Sequence, residues 1–243
     1  MAPVEIHDLH KAFGSQRVLD GVDLTVERGE TLAVLGRSGT GKSVLLKLII
    51  GLNKPDGGTI RILGEDIAAL QNGQLNEVRK KMGFLFQQAA LYDSLTVEEN
   101  VGFPLSRHTR TSDEERKDKV RELLSSVGME GDLGKMPSEI SGGMQKRVGL
   151  ARALALDPEI VLFDEPTSGL DPITAAEIGE LINQLKSKRE MSSIVVTHDI
   201  RGARRFADRM VLLHEGRIRA EGHYEELQKS DDEFVSRFME ATC

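Results

Sequence analysis

The chain has 243 residues, of which 39% are hydrophobic and 29% charged, and its formal net charge is -7. This is an ordinary soluble composition: no apolar run approaches the ~20 residues that span a bilayer, and an acidic balance without a basic block argues against nucleic-acid binding. The opening MAPVEIHDLHKAF lacks a basic region ahead of an apolar stretch, so a cytosolic location is expected, and the single Cys243 has no internal partner for a disulfide or a metal site.

Short β-like runs open the chain: VEIHDL, VDLTV and ETLAVLG, with Thr31 to Leu35 apolar enough for a buried strand. That strand runs into GRSGTGKS, and VLLKLIIGL follows as a helix with few polar positions, expected to be buried against a sheet. Lys54 to Gly58 reads as a turn and TIRIL as a further strand. From about Ala89 to Leu156 the texture is helical, and Thr96 with Glu99, and Ser112 with Glu115, fit capping boxes at two helix starts. DEERKDKVREL reads as a solvated helix, with Glu115 four residues before Lys119. After Pro158 a parallel-sheet pattern resumes: EIVLFDE, a helix from about Ile173 to Lys188, SSIVVTHD, another helix, and RMVLLHEG. No linker divides the chain, so one unit over 1–243 is expected, with an α/β core (1–88 and 158–222), a helical insertion (89–157) and a C-terminal tail (223–243).

Three segments carry chemistry. Gly36-Arg37-Ser38-Gly39-Thr40-Gly41-Lys42-Ser43 satisfies the P-loop pattern between a strand and a helix, where backbone amides and a helix N-terminus surround phosphate oxygens. Lys42 adds a full positive charge, and Ser43 is suited to hold a magnesium ion. Ile160 to Glu165 is four apolar residues ending in two carboxylates, as expected of a buried strand whose C-terminal tip meets the ligand. Asp164 is expected to orient magnesium through water, and Glu165 to polarise the attacking water in phosphoryl transfer. Ser141-Gly142-Gly143-Met144-Gln145, about 20 residues before Asp164, is a helix start able to offer amides to a phosphate.

With Ser141–Gln145 in place beside the other two motifs, the chain resembles the ABC ATPase family from Val4 to about Gly222. Ile140 and Met144 replace the usual leucine and first glutamine of the signature. The resemblance implies an α/β fold: a P-loop NTPase (RecA-like) core with an antiparallel β subdomain and an inserted α-helical subdomain. It implies ATP and Mg2+ as ligands, and a second copy whose Ser141 segment completes each site. Gln87 resembles the Q-loop glutamine, which senses magnesium and the membrane partner; Ser168 to Asp171 resembles the D-loop at the dimer interface. His198 resembles the switch histidine that contacts the γ-phosphate and steadies Glu165, and Phe13 stands where the family stacks an aromatic ring on adenine.

GRSGTGKSVLLKLIIGL, LFQQAALYDSLTVEENVGFPL and ISGGMQKRVGLARALALDPEIVLFDEPTSGLDPIT are similar to the subfamily that powers phospholipid transport between bacterial envelope membranes. That implies a peripheral place on the cytoplasmic face of the inner membrane, an integral-membrane permease received around Ala89 to Leu95 through a coupling helix, and lipid-binding envelope proteins as indirect partners. A different ABC importer or exporter, or an ABC regulator of cell-wall enzymes, shares every motif and stays open. Chromosome and repair ATPases need a long coiled coil between P-loop and signature, and only about 98 residues separate Ser43 from Ser141. The tail can place Phe234, Val235, Phe238 and Met239 on one helical face, to dock on its own core or on the second subunit.

Overall fold

Strands β1 (Val4–Phe13), β2 (Gln16–Val26), β4 (Gly57–Ile62) and β5 (Glu65–Asp66) form an antiparallel sheet in the order β2-β1-β4-β5. The computed structural model describes residues 1–240, apart from the side chains of residues 188 and 189, so Cys243 lies outside the described residues. A second sheet has the order β10-β9-β3-β8-β7-β6. Its members are β3 (Thr31–Leu35), β6 (Met82–Leu85), β7 (Ile160–Asp164), β8 (Ser192–Thr197), β9 (Arg209–His214) and β10 (Arg217–Gly222). All its pairings are parallel except β9 with β10. Every residue of β3, β7 and β8 is buried, which explains the apolar runs Leu32–Leu35, Ile160–Phe163 and Ile194–Val196 at their centres.

Two hydrophobic cores lie on opposite faces of this sheet, and the period of two along each strand assigns its side chains between them. Leu32, Val34, Ile160, Leu162, Ile194 and Val196 join the antiparallel sheet and α1 (Lys42–Ile49). Ala33, Leu35, Val161, Phe163 and Val195 join the opposite core with α3 (Val97–His108), α4 (Asp113–Ser126), α5 (Gly142–Ala153) and α6 (Pro172–Arg189).

Both expected capping boxes form. Thr96 Oγ1 accepts from Glu99 N at 3.2 Å and Glu99 Oε2 from Thr96 N at 2.8 Å; Ser112 and Glu115 repeat the exchange at 3.3 and 2.8 Å. Lys119 does not use Glu115. Its ammonium reaches Asp157 at 3.0 Å and Glu122 at 3.9 Å, because Asp157 comes within reach from the loop before β7. The helix α2 (Asn72–Lys80) has no signal in the sequence, because its buried residues are Leu75 and Val78, too few apolar positions to register as a period. Beyond β10, α8 (Tyr224–Gln228) and α9 (Glu233–Glu240) dock on the chain's own core, with Val235 and Met239 buried and Phe234 stacked on His214 at 3.8 Å between centroids. α7 (Ile200–Ala203) follows β8.

Candidate functional site

β3 stops at Leu35 and α1 starts at Lys42, so the intervening loop hangs at the C-terminal edge of a parallel sheet, where open α/β folds place ligands. Gly41 is the N-cap of α1 with φ 100°, a left-handed conformation, and a Cβ there would stand 2.8 Å from Val18 Cγ1. Only glycine fits both demands. Lys42, 6% exposed, curls back so that Nζ donates to the Gly36 carbonyl at 2.7 Å and the Arg37 carbonyl at 3.0 Å. Burial pushes its ammonium pKa down, partly countered by the Glu165 carboxylate. Thr40 turns its hydroxyl onto the Arg37 carbonyl at 2.9 Å.

The loop opens into a cleft of about 730 Å³ bounded by Gly36–Gly39, Gly41–Ser43, Gln87, Glu165 and His198, together with Val18, Val44 and Phe238. Ser43 Oγ donates to Asp164 Oδ1 at 2.8 Å across the tips of α1 and β7. Burial raises the Asp164 pKa above 3.8; the Ser43 hydrogen bond lowers it and the adjacent Glu165 charge raises it further. Glu165 has φ 47°, a left-handed conformation unfavourable for a residue with a Cβ. Its Oε2 accepts from Thr197 Oγ1 at 3.1 Å and from His198 N at 3.3 Å, and lies 2.9 Å from His198 Nδ1. Its Oε1 is 3.5 Å from Lys42 Nζ.

Other expected site residues lie elsewhere. Ser141 caps α5, its Oγ accepting from Met144 N at 3.3 Å, and Gln145 Nε2 donates to the Pro137 carbonyl at 3.0 Å. Asp171 caps α6, its Oδ1 accepting from Ile173 N at 3.0 Å and Thr174 N at 3.1 Å; the Thr174 hydroxyl, together with these amides, holds its carboxyl below the usual range. The two helix starts touch. A Cβ on Gly143 would meet Thr174 Cγ2 at 2.5 Å, and one on Gly142 would meet Leu170 Cδ2 at 3.8 Å. Ser141, Gly142, Gly169, Asp171 and Ile173 form an exposed group on this face, Ile173 being 74% exposed. Phe13 lies outside the cleft lining, 49% exposed, with Lys11 Nζ 5.3 Å from its ring centroid.

The sequence profile described as "ABC transporter" matches residues 19–168. The chain belongs to the ABC transporter family. Among curated ABC relatives it is 41% identical over 236 residues to an intermembrane phospholipid transport ATP-binding protein, MlaF, of Haemophilus influenzae, covering 97% of this chain and 89% of that one. It is 45% identical over 236 residues to a probable ribonucleotide transport ATP-binding protein, mkl, of Mycobacterium tuberculosis, covering 97% of this chain and 66% of that longer one. Among solved ABC structures it superposes on a dimeric ATP-binding cassette in a post-hydrolysis state bound to ADP and Pi, with a TM-score of 0.83, 36% identity and coverage of 90% of this chain and 98% of that one.

Three participants escape a motif reading of this ABC chain. Thr197 shares the Glu165 carboxylate with His198. Phe238 reaches the cleft from α9. Lys146, on α5, contacts the backbone at Gln87 and Glu165. Only the VVTH run hints at the first, through a hydroxyl next to the histidine.

Proposed function

We propose that the chain is the ATP-binding and ATP-hydrolysing subunit of an ABC transporter, closing with a second copy over two ATP molecules to drive an integral-membrane permease that moves phospholipid across a bacterial envelope. The observation that carries this reading is the Glu165 carboxylate, held by Thr197 and His198 at the mouth of the P-loop cleft beside Lys42. An anchored carboxylate there can orient a water for in-line attack on the γ-phosphate. Lys42 and the Gly36–Ser43 amides bind the β- and γ-phosphates, and His198 holds Glu165 and faces the same phosphate.

Ser43 and Asp164 fit a magnesium ion bound to that triphosphate: one hydroxyl, one carboxylate and a nearby Gln87 amide leave positions for phosphate and water, as Mg2+ prefers. Among the described residues no group of three or more His, Cys, Asp or Glu could cage a metal, so a site shared with the substrate suits this donor set better than a resident one. The ion, when bound, would neutralise charge on the phosphates.

Ser141, Gly142, Gln145 and Asp171 stand away from the chain's own cleft on an exposed face with Ile173, which supports their meeting the ATP held by the second copy. Phe13, open on one side, is assigned to the adenine ring. Residues 89–157 form the helical subdomain, and Ala89 to Leu95 receives the permease's coupling helix. No helix among the described residues is long and apolar enough to cross a membrane, consistent with a peripheral place on the cytoplasmic face of the inner membrane. The MlaF relatives favour phospholipid as cargo, with lipid-binding envelope proteins as indirect partners and no nucleic acid, whereas the mkl relatives are named for ribonucleotide transport and supply the second reading.

The test is co-purification of Glu165→Gln from the native host with magnesium and ATP. A retained permease with bound phospholipid supports the proposal. A permease that carries nucleotide supports the second reading, and a cell-wall regulator without cargo removes transport altogether.

A further inference from the structure

The segment that follows Gln87 is strained. Ala89 and Ala90 have φ 57° and 49°, both left-handed, and Glu165 across the sheet edge has φ 47°. Non-glycine residues persist there only when their surroundings hold them, at a cost of about 1–3 kcal/mol each. Beside local backbone hydrogen bonds such as Ala89 N to the Phe86 carbonyl and Glu165 N to the Val196 carbonyl, one helix restrains all of them. Arg152 of α5 donates through Nη1 to the Ala90 carbonyl at 2.8 Å and through Nη2 to the Ala89 carbonyl at 2.6 Å. Earlier on the same helix, Lys146, only 4% exposed, donates Nζ to the carbonyls of Gln87 and Glu165, the latter at 3.2 Å. Lys146 reaches two backbone oxygens belonging to two different strained segments.

We propose that Lys146 is a positioning residue for ATP hydrolysis, a buried clasp that fixes the Gln87 and Glu165 backbones to each other and to the signature helix α5. This rests on the proposed role of Glu165. The placement has a consequence for a dimer. The N-terminus of α5, Ser141, faces away from the chain's own cleft, while Lys146, five residues on, is bolted to that cleft's Gln87 and Glu165. A displacement of the Gln87 segment is therefore passed through one rigid helix to both the chain's own water-orienting carboxylate and the Ser141 segment offered to the other copy. Donation to two carbonyls is what the site requires. Buried carbonyls left without a donor are costly, and an amide NH2, with two N–H groups, can replace the ammonium there.

The experiment compares Lys146→Met, Lys146→Gln and Glu165→Gln in the full-length chain, purified from its native host with whatever membrane partner it retains. Affinity for a fluorescent ATP analogue, kcat and KM are measured for each. Lys146→Met is expected to lower kcat at least tenfold with analogue affinity within twofold of the unsubstituted chain, and Lys146→Gln to restore at least a third of kcat. A Met variant with kcat within twofold of the parent overturns the inference, as does an affinity that falls in step with kcat, or a Gln variant as impaired as Met. Should the Met variant not be recovered folded, Lys146→Gln decides alone: kcat above a third of the parent supports the clasp, and a tenfold loss overturns it. If Glu165→Gln turns over normally, it is the underlying role of Glu165 that fails, separately from the behaviour of Lys146.

Discussion

Oε2 of Glu165 lies 2.9 Å from His198 Nδ1, joining the tip of β7 to the end of β8 through side chains at the mouth of the P-loop cleft. In the proposed mechanism the charge of this carboxylate acts on a water. Glu165→Gln keeps the shape and loses the base, so it is expected to bind ATP normally and hydrolyse it ~100-fold or more slowly, about 3 kcal/mol of lost transition-state stabilisation. Single-turnover hydrolysis checks this; near-normal turnover removes Glu165 from the role.

His198→Ala should be milder. Thr197 Oγ1 and the His198 amide still hold Oε2 at 3.1 and 3.3 Å after the ring is gone. A loss of about tenfold in kcat is expected, less than the ~100-fold of Glu165→Gln. An equal loss in both variants would mean that the ring's contact with the reacting phosphate, rather than its hold on Glu165, dominates.

Lys42→Ala acts on binding. Nζ stands 2.7 Å from the Gly36 carbonyl inside the phosphate loop, and its ammonium is the loop's buried full positive charge. Affinity for ATP should fall tenfold or more, at least about 1.4 kcal/mol. Equilibrium binding by fluorescence or calorimetry is the measurement, and unchanged affinity counts against the phosphate cradle.

Asp164→Asn should stabilise the nucleotide-free chain. Burial raises the Asp164 pKa, so the folded state holds its proton more tightly than the unfolded state does. Stability from this group is fully present below 3.8 and is lost as pH rises through the folded pKa. Above that ordinary value the parent therefore carries a cost of burying its carboxylate, which asparagine lacks. A rise in Tm of about 2–4 °C per kcal/mol regained is expected near pH 7, shrinking toward pH 4, with loss of the extra stabilisation from magnesium plus ATP. A lower Tm at pH 7 would show that Asp164 is stabilising as it stands.

Gly143→Ala should push apart the starts of α5 and α6, because its Cβ would meet Thr174 Cγ2 at 2.5 Å. Thr174→Ser removes that methyl. Turnover is expected to fall several-fold in Gly143→Ala and to recover in the double variant, a coupling that a double-mutant cycle measures. Additive losses would place the defect elsewhere.

Segments whose backbone dictates residue type were readable in the sequence. Gly41 must be glycine at φ 100°, and the centres of β3, β7 and β8 (Leu32–Leu35, Ile160–Phe163 and Ile194–Val196) are apolar because both faces are covered. The Thr96 and Ser112 caps are local, four-residue events and were equally readable. What stayed hidden depends on contacts distant in sequence. Nothing near Lys119 predicts Asp157, 38 residues later, as its partner. Lys146 looks like one more charge on a helix until Gln87, 59 residues earlier, is brought against it. Phe238 belonged to an apolar stripe with two equal destinations, and that it reaches the cleft follows only from the packing of α9 beside the P-loop.

The pairing order of the parallel sheet also bears on how the chain is made. β3, which leads into the P-loop, pairs with β8 and β9, so Leu32 waits for Ile194 and Arg209 on either side. A ribosome delivers those neighbours only after α3 to α6 have been made. The antiparallel sheet, complete by Asp66, can form early, but TLAVL must stay shielded with both edges unpaired until most of the chain has emerged. Such long-range parallel pairing is slow and exposes aggregation-prone edges. Nascent chains truncated before Ser192 should therefore lack a nucleotide site and depend on chaperones, even though the whole phosphate loop has already been synthesised.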